Sequence, residues 1–401
     1  MASAAAPPPP SHGPRRAVLA VNGGSSSLKL AVYAAAADEA RLWSGRIERI
    51  GLPGAKLHFG DAERRAEVPD HDAAARLALE ALRREAGTFE VVAIGHRVVH
   101  GGERFAAPTS VTPEVLAELR RLEPFAPRHL PSELAVLEAF TRHFPGLPQV
   151  ACFDTAFHRE LPREARLLPI PRRYEALGVR RYGFHGISYA YLMEELTRLD
   201  PAAAGGRVVL AHLGNGASLA AVRGGRALDT SMAFTPTAGI PMSTRSGDLD
   251  PGVLWYLGAR EGLGIEKLYR MLNEESGLLG LSETSSDVRD LLAREAAGDA
   301  RAADALAVFC YALRLRIGAY AAALGGLETL VFSAGIGEHA PEVRARACAG
   351  LEFLGVTLDP AANARHAPVV SAPGGKVTVR VIPTDEERMI ARDVRRLLNL
   401  I

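Results

Sequence analysis

Two stretches half a chain apart repeat one another. Shifted by 191 residues, the segment 18–28 (VLAVNGGSSSL) lies on 209–219 (VLAHLGNGASL), and Val, Leu, Ala, Gly, Ser and Leu coincide at six of eleven positions without a gap. Each copy reads as an apolar strand, a Gly-rich polar turn and a second strand. The offset is close to half of the 401 residues, a length that suits two domains at roughly 100–200 residues each. The expectation is two related α/β halves, each opening on a strand–turn–strand unit. Two glycine turns would then flank one cleft, and clefts between domains are where small-molecule sites usually lie.

The rest of the pattern fills in these halves. Residues 91–94 (VVAI) read as a buried strand, and 113–123 and 131–143 have helical spacing, with Pro113 suited to a first turn. The pattern restarts at 149 with QVACFDTAF, then 207–222 as strand, turn and strand, with RALDTSM as a hairpin partner. Residues 302–324 form a long apolar helix, 328–333 a strand leading into AGIGE, 378–383 a last strand and 385–399 an amphipathic helix. The first sixteen residues, MASAAAPPPPSHGPRR, have little to bury and are expected to be disordered, so the fold is expected to begin at Ala17. The domains are placed at 17–150 and 151–385, with 386–401 completing the first.

Lys+Arg number 47 and Asp+Glu 46, a balance that points to neither nucleic acid nor an anionic membrane as partner. Three widely spaced cysteines make neither a disulfide framework nor a zinc site and suit a reducing, cytoplasmic setting. No uninterrupted apolar stretch approaches ~20 residues, so no membrane span is expected.

Several segments carry chemistry. In Asn22–Lys29 the glycines let backbone N–H groups approach an anion, Ser27 and Asn22 add neutral donors, and Lys29 offers charge to a phosphate; a solvated hairpin turn looks the same. Arg97, beyond a buried strand, suits a carboxylate or phosphate, or else a structural ion pair. Asp154 ends a strand, where it holds Mg through water, orients a group or caps a turn. In Arg181–Gly186, Phe184 suits packing on a small apolar group and His185 a hydrogen bond, unless His185 is a satisfied buried histidine. His212–Gly216 is the second glycine turn, and Arg245 lies in a polar loop with nearby acids. Gly335, Ile336, Gly337 and Glu338 follow a strand in the manner of a nucleotide loop. Asp385–Glu387 open the last helix, where acids favour the dipole or hold Mg. Glycine loops, two arginines and spare carboxylates, with no nucleophile motif, fit phosphoryl transfer. A carboxylate acceptor is already ionised near pH 7 and needs a cation rather than a base.

Taken in order, NGGSSSLK, GHRVVHGGE, FDTAFH, RRYGFHG, HLGNG, TRSGDLDP, AGIGE and PTDEE closely resemble the acetate kinase family, within the acetate and sugar kinase, Hsc70 and actin group. The resemblance implies two ribonuclease-H-like domains with a nucleotide cleft between them, ATP as co-substrate, Mg2+ or Mn2+, and a homodimer. It implies that Arg97 and Arg245 clamp the carboxylate and the moving phosphoryl group. Asn22, His185 and Asn215 would contact that group, with Ser27, Lys29, His212 and Gly216 beside the ATP phosphates. Asp154 and Glu386 match acids near Mg, with Asn22 as a further ligand. Asp287, Arg289 and the 335–338 loop match the adenosine pocket; Val99, Phe184 and Pro236, with His129, match the acceptor pocket. The products would be an acyl phosphate and ADP.

The chain departs from the family pattern at Arg128, where Leu is usual, at Leu130-Pro131, at Ile187-Ser188-Tyr189 and at His339. A guanidinium beside a methyl group costs several kcal/mol unless it finds an anion or water, so Arg128 points to a changed acid preference, propionate or a polar acid in place of acetate. Two other functions share the fold: a non-catalytic, ATP-binding regulatory protein, and a sugar kinase with Asp154 as base. The two acceptor arginines argue against the first, and Val99 and Phe184 against the second.

Overall fold

The structure, a computed structural model, describes residues 13–24, 26–85 and 87–400. They form two units: the first holds the chain through Val99, Ala107–Phe153 and the residues from Glu387, the second His100–Ala106 and Asp154–Glu386.

The first unit is built on an eight-stranded sheet. Its strands are β1 (Arg15–Gly23), β2 (Ser27–Ala34), β3 (Arg41–Glu48), β4 (Ala55–Phe59), β5 (Ala62–Ala66), β6 (Phe89–Val98), β7 (Thr109–Ser110) and β8 (Gln149–Phe153), in the order β5-β4-β3-β2-β1-β6-β8-β7. β1 to β5 form an antiparallel meander, while β1, β6 and β8 run parallel. The meander beyond β2 and the helix His71–Arg84 are absent from the sequence reading. The fold also starts earlier than expected. Arg15 and Arg16 pair with Phe89 and Glu90, because an edge of β6 is there to receive their backbone; residues 1–12 of the expected tail lie outside the described residues.

β1 is buried on both faces from Ala17 to Val21. Leu19 and Val21 meet Ala74, Ala78 and Val136 of the helices His71–Arg84 and Leu130–His143. The other face takes the C-terminal helix, Glu386–Leu398. A Cβ at Gly95 would stand 2.4 Å from Ile390 Cγ2 and 2.6 Å from Val394 Cγ2, so glycine is what lets the helix lie against β6. Arg392 and Arg395 of that helix both pair with Glu39 at 2.8 Å.

The second unit has a five-stranded sheet: β9 (Arg207–Leu213), β10 (Ala217–Arg223), β11 (Arg226–Thr230), β12 (Thr329–Ser333) and β13 (Thr378–Val381), ordered β11-β10-β9-β12-β13. β9, β10 and β11 are antiparallel and β9, β12 and β13 parallel. This is the order and sense of β3-β2-β1-β6-β8, so the 191-residue repeat is the sequence trace of a repeated topology, with β1–β2 matching β9–β10. The helix Ala300–Leu324 packs against β9, β10 and β11. It is long and apolar enough to cross a membrane by length and composition alone, although Asp304, Arg314 and Arg316 interrupt its apolar run, as the expectation of no uninterrupted stretch requires. Phe309, Leu313, Ile317 and Tyr320 are buried, and Arg316 is paired with Asp248, which marks a core helix of this unit.

Candidate functional site

Within the first unit, Arg97 and Val99 sit at the end of β6, and one residue fixes both. Glu133 is 3 % exposed; its Oε2 accepts the Val99 N–H at 2.8 Å and its Oε1 lies 3.5 Å from Arg97 Nη1. Glu133 projects from the first turn of the helix Leu130–His143, whose N-cap is His129, so Arg97, Val99, His129 and Glu133 belong to one cluster. A carboxylate placed here sets a negative charge beside the guanidinium before any ligand arrives. Arg128, half-buried, lies just before that N-cap. Asn22 ends β1 opposite Lys29 of β2, and its Nδ2 donates to Glu387 Oε1 at 3.1 Å. Glu387 stands one residue past Glu386, the acid expected near a metal. Ser27 opens β2, and its carbonyl accepts the Gly24 N–H at 2.8 Å, closing the first glycine turn.

Within the second unit the other candidates converge on the second glycine turn. A Cβ at Gly216 would meet His185 Nε2 at 3.2 Å and Arg245 Nη1 at 3.4 Å, so the bare backbone there lets two polar groups approach one point. His185 is held from several sides. It has φ +58, caps the helix Gly186–Leu199, and its Nδ1 meets Ser218 Oγ at 2.8 Å. Its ring stacks on His212 with centroids 4.2 Å apart, and Ser188 Oγ bonds His212 Nδ1 at 2.8 Å. Tyr189 is fully buried and its hydroxyl shares Ser218 Oγ at 2.5 Å; burial pushes its phenol above the usual range, so it stays a neutral partner. The departure at Ile187-Ser188-Tyr189 therefore supplies two groups that brace the His185 neighbourhood. Arg245 Nη1 donates to the Pro236 carbonyl at 3.1 Å, which brings those two residues together. Asp154 is buried, and its carbonyl accepts the Gly186 N–H at 2.8 Å, directly beneath His185.

A cavity of about 450 Å3 in the same unit is lined by Asn215, Asp287, Arg289, Gly335, Ile336 and His339, among others. Asp287 caps the helix Val288–Ala296, and Arg289 holds its carboxyl below the ordinary range through a 2.6 Å ion pair. Gly337 and Glu338, expected in the nucleotide loop, are not among the residues that line this cavity. The Gly337 carbonyl accepts from buried Arg344 at 2.8 Å, and Glu338 Oε1 accepts the Thr384 N–H at 3.2 Å. Both residues brace the helix Ala334–His339, leaving Gly335, Ile336 and His339 to face the cavity. The departure at His339 thus falls on its lining.

Among the described residues no three His, Cys, Asp or Glu side chains cluster as metal ligands. Mg2+ needs less, since it is usually held by one or two carboxylates together with substrate phosphates, and the Asn22–Glu387 pair fits that donor set.

Two sheets of one repeated topology, each unit opening on a strand, a glycine turn and a strand, define a two-unit α/β class. Residues 17–392 match the model of the acetokinase family. A propionate kinase of Citrobacter rodentium is 45 % identical over 389 residues, covering 95 % of this chain and 96 % of that one. An acetate kinase of Bacillus cytotoxicus is 43 % identical over 394 residues, covering 96 % and 99 %. The crystal structure of Porphyromonas gingivalis acetate kinase superposes with a TM-score of 0.88 at 39 % identity, covering 96 % of this chain and all of that one (100 %). The chain belongs to the acetokinase family, and it is an enzyme, a kinase.

Proposed function

We propose that the chain moves a phosphoryl group reversibly between ATP and a short-chain carboxylic acid in a Mg-dependent reaction, acetate + ATP giving acetyl phosphate + ADP. The observation that supports this most is the meeting of His185 Nε2 and Arg245 Nη1 at Gly216. A carboxylate oxygen attacks the terminal phosphorus, the bond to the ADP oxygen breaks, and no proton has to be removed from the acceptor. The work is then positioning and charge neutralisation. Arg97, beside Glu133, and Arg245, anchored on Pro236, neutralise the acceptor and the moving group. His185, Asn22 and Asn215 donate to phosphoryl oxygens, with Ser27, Lys29, His212 and Gly216 beside the ATP phosphates. Val99, Phe184, Pro236 and His129 surround the acid's short tail, while Asp287, Arg289, Gly335 and Ile336 receive the adenosine. Asn22, Asp154, Glu386 and Glu387 are the residues whose chemistry suits Mg2+ or Mn2+, which when bound neutralises phosphate charge.

The half-buried Arg128 favours a second specificity, propionate or a polar acid. An acyl-hydroxamate assay with acetate, propionate, butyrate, and hydroxy- and dicarboxylic acids, with and without Mg2+, tests both. Mg-dependent turnover on at least one acid is expected, and a wide preference for acetate would end the case for Arg128 as a selector. No turnover on any acid would overturn the reading.

The chain is further proposed to act in the cytoplasm as a homodimer. The helix Pro251–Glu261 buries none of its residues, and Trp255 is 76 % and Tyr256 52 % exposed. Apolar area of this kind usually marks a protein contact. Trp255→Asp is expected to convert a dimer to a monomer by light scattering after gel filtration, and a wild type that elutes as a monomer at micromolar concentration would refute the dimer.

A further inference from the structure

Another cavity of the second unit, about 270 Å3, has a lining with one dominant sign. Arg159, Arg166, Arg180 and Arg181 all face it, with Tyr182, and the only acid among its walls is Glu103. Their charges are unequally matched. Arg181 is spent on the fold, donating to the carbonyls of Thr230 at 2.8 Å and Ala165 at 3.0 Å. Arg180 pairs with Glu103 at 3.1 Å, yet its buried Nε has no hydrogen-bond partner. Arg159 comes no nearer than 3.8 Å to Glu160, whose carboxylate already takes Arg226 at 2.6 Å. The Arg166 side chain makes no hydrogen bond or ion pair among the described residues. Guanidinium groups do not titrate in the accessible pH range, so this charge cannot be relieved by losing a proton. Their planar forks match oxyanions in particular.

The volume sets the size of the guest. Drug-sized pockets run from about 300 to 1,000 Å3, so this one is too small for a nucleotide and suits a compact oxyanion. Its position also matters. Tyr182 and His158 both line the cavity, and His158 Nε2 donates to the Phe184 carbonyl at 3.0 Å. Between them Gly183 has φ +76, and a Cβ there would stand 2.5 Å from Thr230 Cγ2 and 2.6 Å from His158 Cδ2. The stretch 182–184 is therefore held tightly from the cavity side, and it leads straight into His185.

We propose that this cavity is an anion site, taking a small multiply charged oxyanion, either inorganic phosphate or a di- or tricarboxylate. Its occupancy sets the position of Phe184 and His185; this coupling rests on the roles given above to Phe184 at the acid's tail and His185 at the phosphoryl group. None of the residues assigned above to the acceptor or the nucleotide faces the cavity.

Isothermal titration of the full chain, with saturating MgADP and acetate present to fill the proposed catalytic site, tests it. Inorganic phosphate, malonate and citrate are the probes, and whichever binds tightest identifies the source. Arg166→Ala is expected to weaken the best probe at least tenfold. Glu103→Gln, which removes the only wall carboxylate, is expected to tighten it severalfold. A variant that merely misfolds cannot produce the second effect. In turnover assays the anion should shift KM for the acid in the wild type and leave Arg166→Ala unmoved. Absence of binding by all three probes, binding indifferent to both variants, or binding lost only in Arg245→Ala overturns the proposal. Because binding is read without turnover, a failed acid panel beside intact, variant-sensitive binding would remove the kinase reading and leave the anion site standing.

Discussion

Arg245→Ala is expected to lower kcat/KM for the acid by about 1,000-fold, in the range seen when a transition-state arginine is removed from phosphoryl-transfer enzymes. Arg245 Nη1 donates to the Pro236 carbonyl at 3.1 Å and lies 3.7 Å from Met242 Sδ; a hydrogen bond lost is worth about 1 kcal/mol, so circular dichroism should show the variant folded, with a modestly lowered melting temperature. Arg97→Ala should cost a similar factor. It also leaves Glu133, 3 % exposed, without the guanidinium that faces it, so some loss of stability is expected there. The measurement is hydroxamate formation under saturating MgATP across a range of acid concentrations. Near-normal turnover in either variant would remove that arginine from the mechanism.

Acid sensitivity of the fold is the second large effect. Burial holds His96, His100 and His158 at about 4, well below the ordinary 6.5. His96 Nε2 meets Gln149 Oε1 at 2.7 Å, and buried His158 keeps a ring nitrogen, Nδ1, without a partner, so neither ring has a carboxylate waiting to receive a proton. The unfolded chain protonates these rings near pH 6.5 and the folded chain only near 4. The unfolded state therefore binds more protons between those values, and stability must fall as pH falls through that window. The shifts correspond to about 2 kcal/mol per histidine at pH 5, large against a total of about 5–15 kcal/mol. Urea unfolding at pH 7.5, 6 and 5 should show the midpoint dropping steadily, and a midpoint constant across that range would contradict the burial of neutral histidines.

The sequence disclosed the repeated strand–turn–strand units because a strand, a glycine turn and a second strand are local in the chain. The long helix Ala300–Leu324 and the C-terminal helix Glu386–Leu398 were legible for the same reason, through apolar periodicity. The meander β3–β5 was not. AERRA carries no alternation that a buried face would impose, and β5 is largely exposed. Glu133 was also invisible, since its partners Arg97 and Val99 lie 36 and 34 residues away and its own helix reads as ordinary amphipathic pattern. Tyr189 and Ser218 could be seen as departures or as polar residues, but their shared hydrogen bond spans 29 residues and exists only once β10 and the helix Gly186–Leu199 are packed. Glu387 illustrates a finer limit: three acids in a row open the last helix, and only its register against β1 brings that one to Asn22.

That last helix has a consequence for biosynthesis. The early strands of the first unit are made long before the side chains that cover Gly95, those of Ile390 and Val394. The face of β1 and β6 that they cover must wait uncovered while more than two hundred intervening residues, Asp154–Glu386, are translated and can complete a core of their own. A ribosome that stalls or stops shortly before residue 387 would thus release a chain whose later half can fold and whose earlier half exposes an unfinished apolar sheet, the sort of surface that chaperones and proteases recognise.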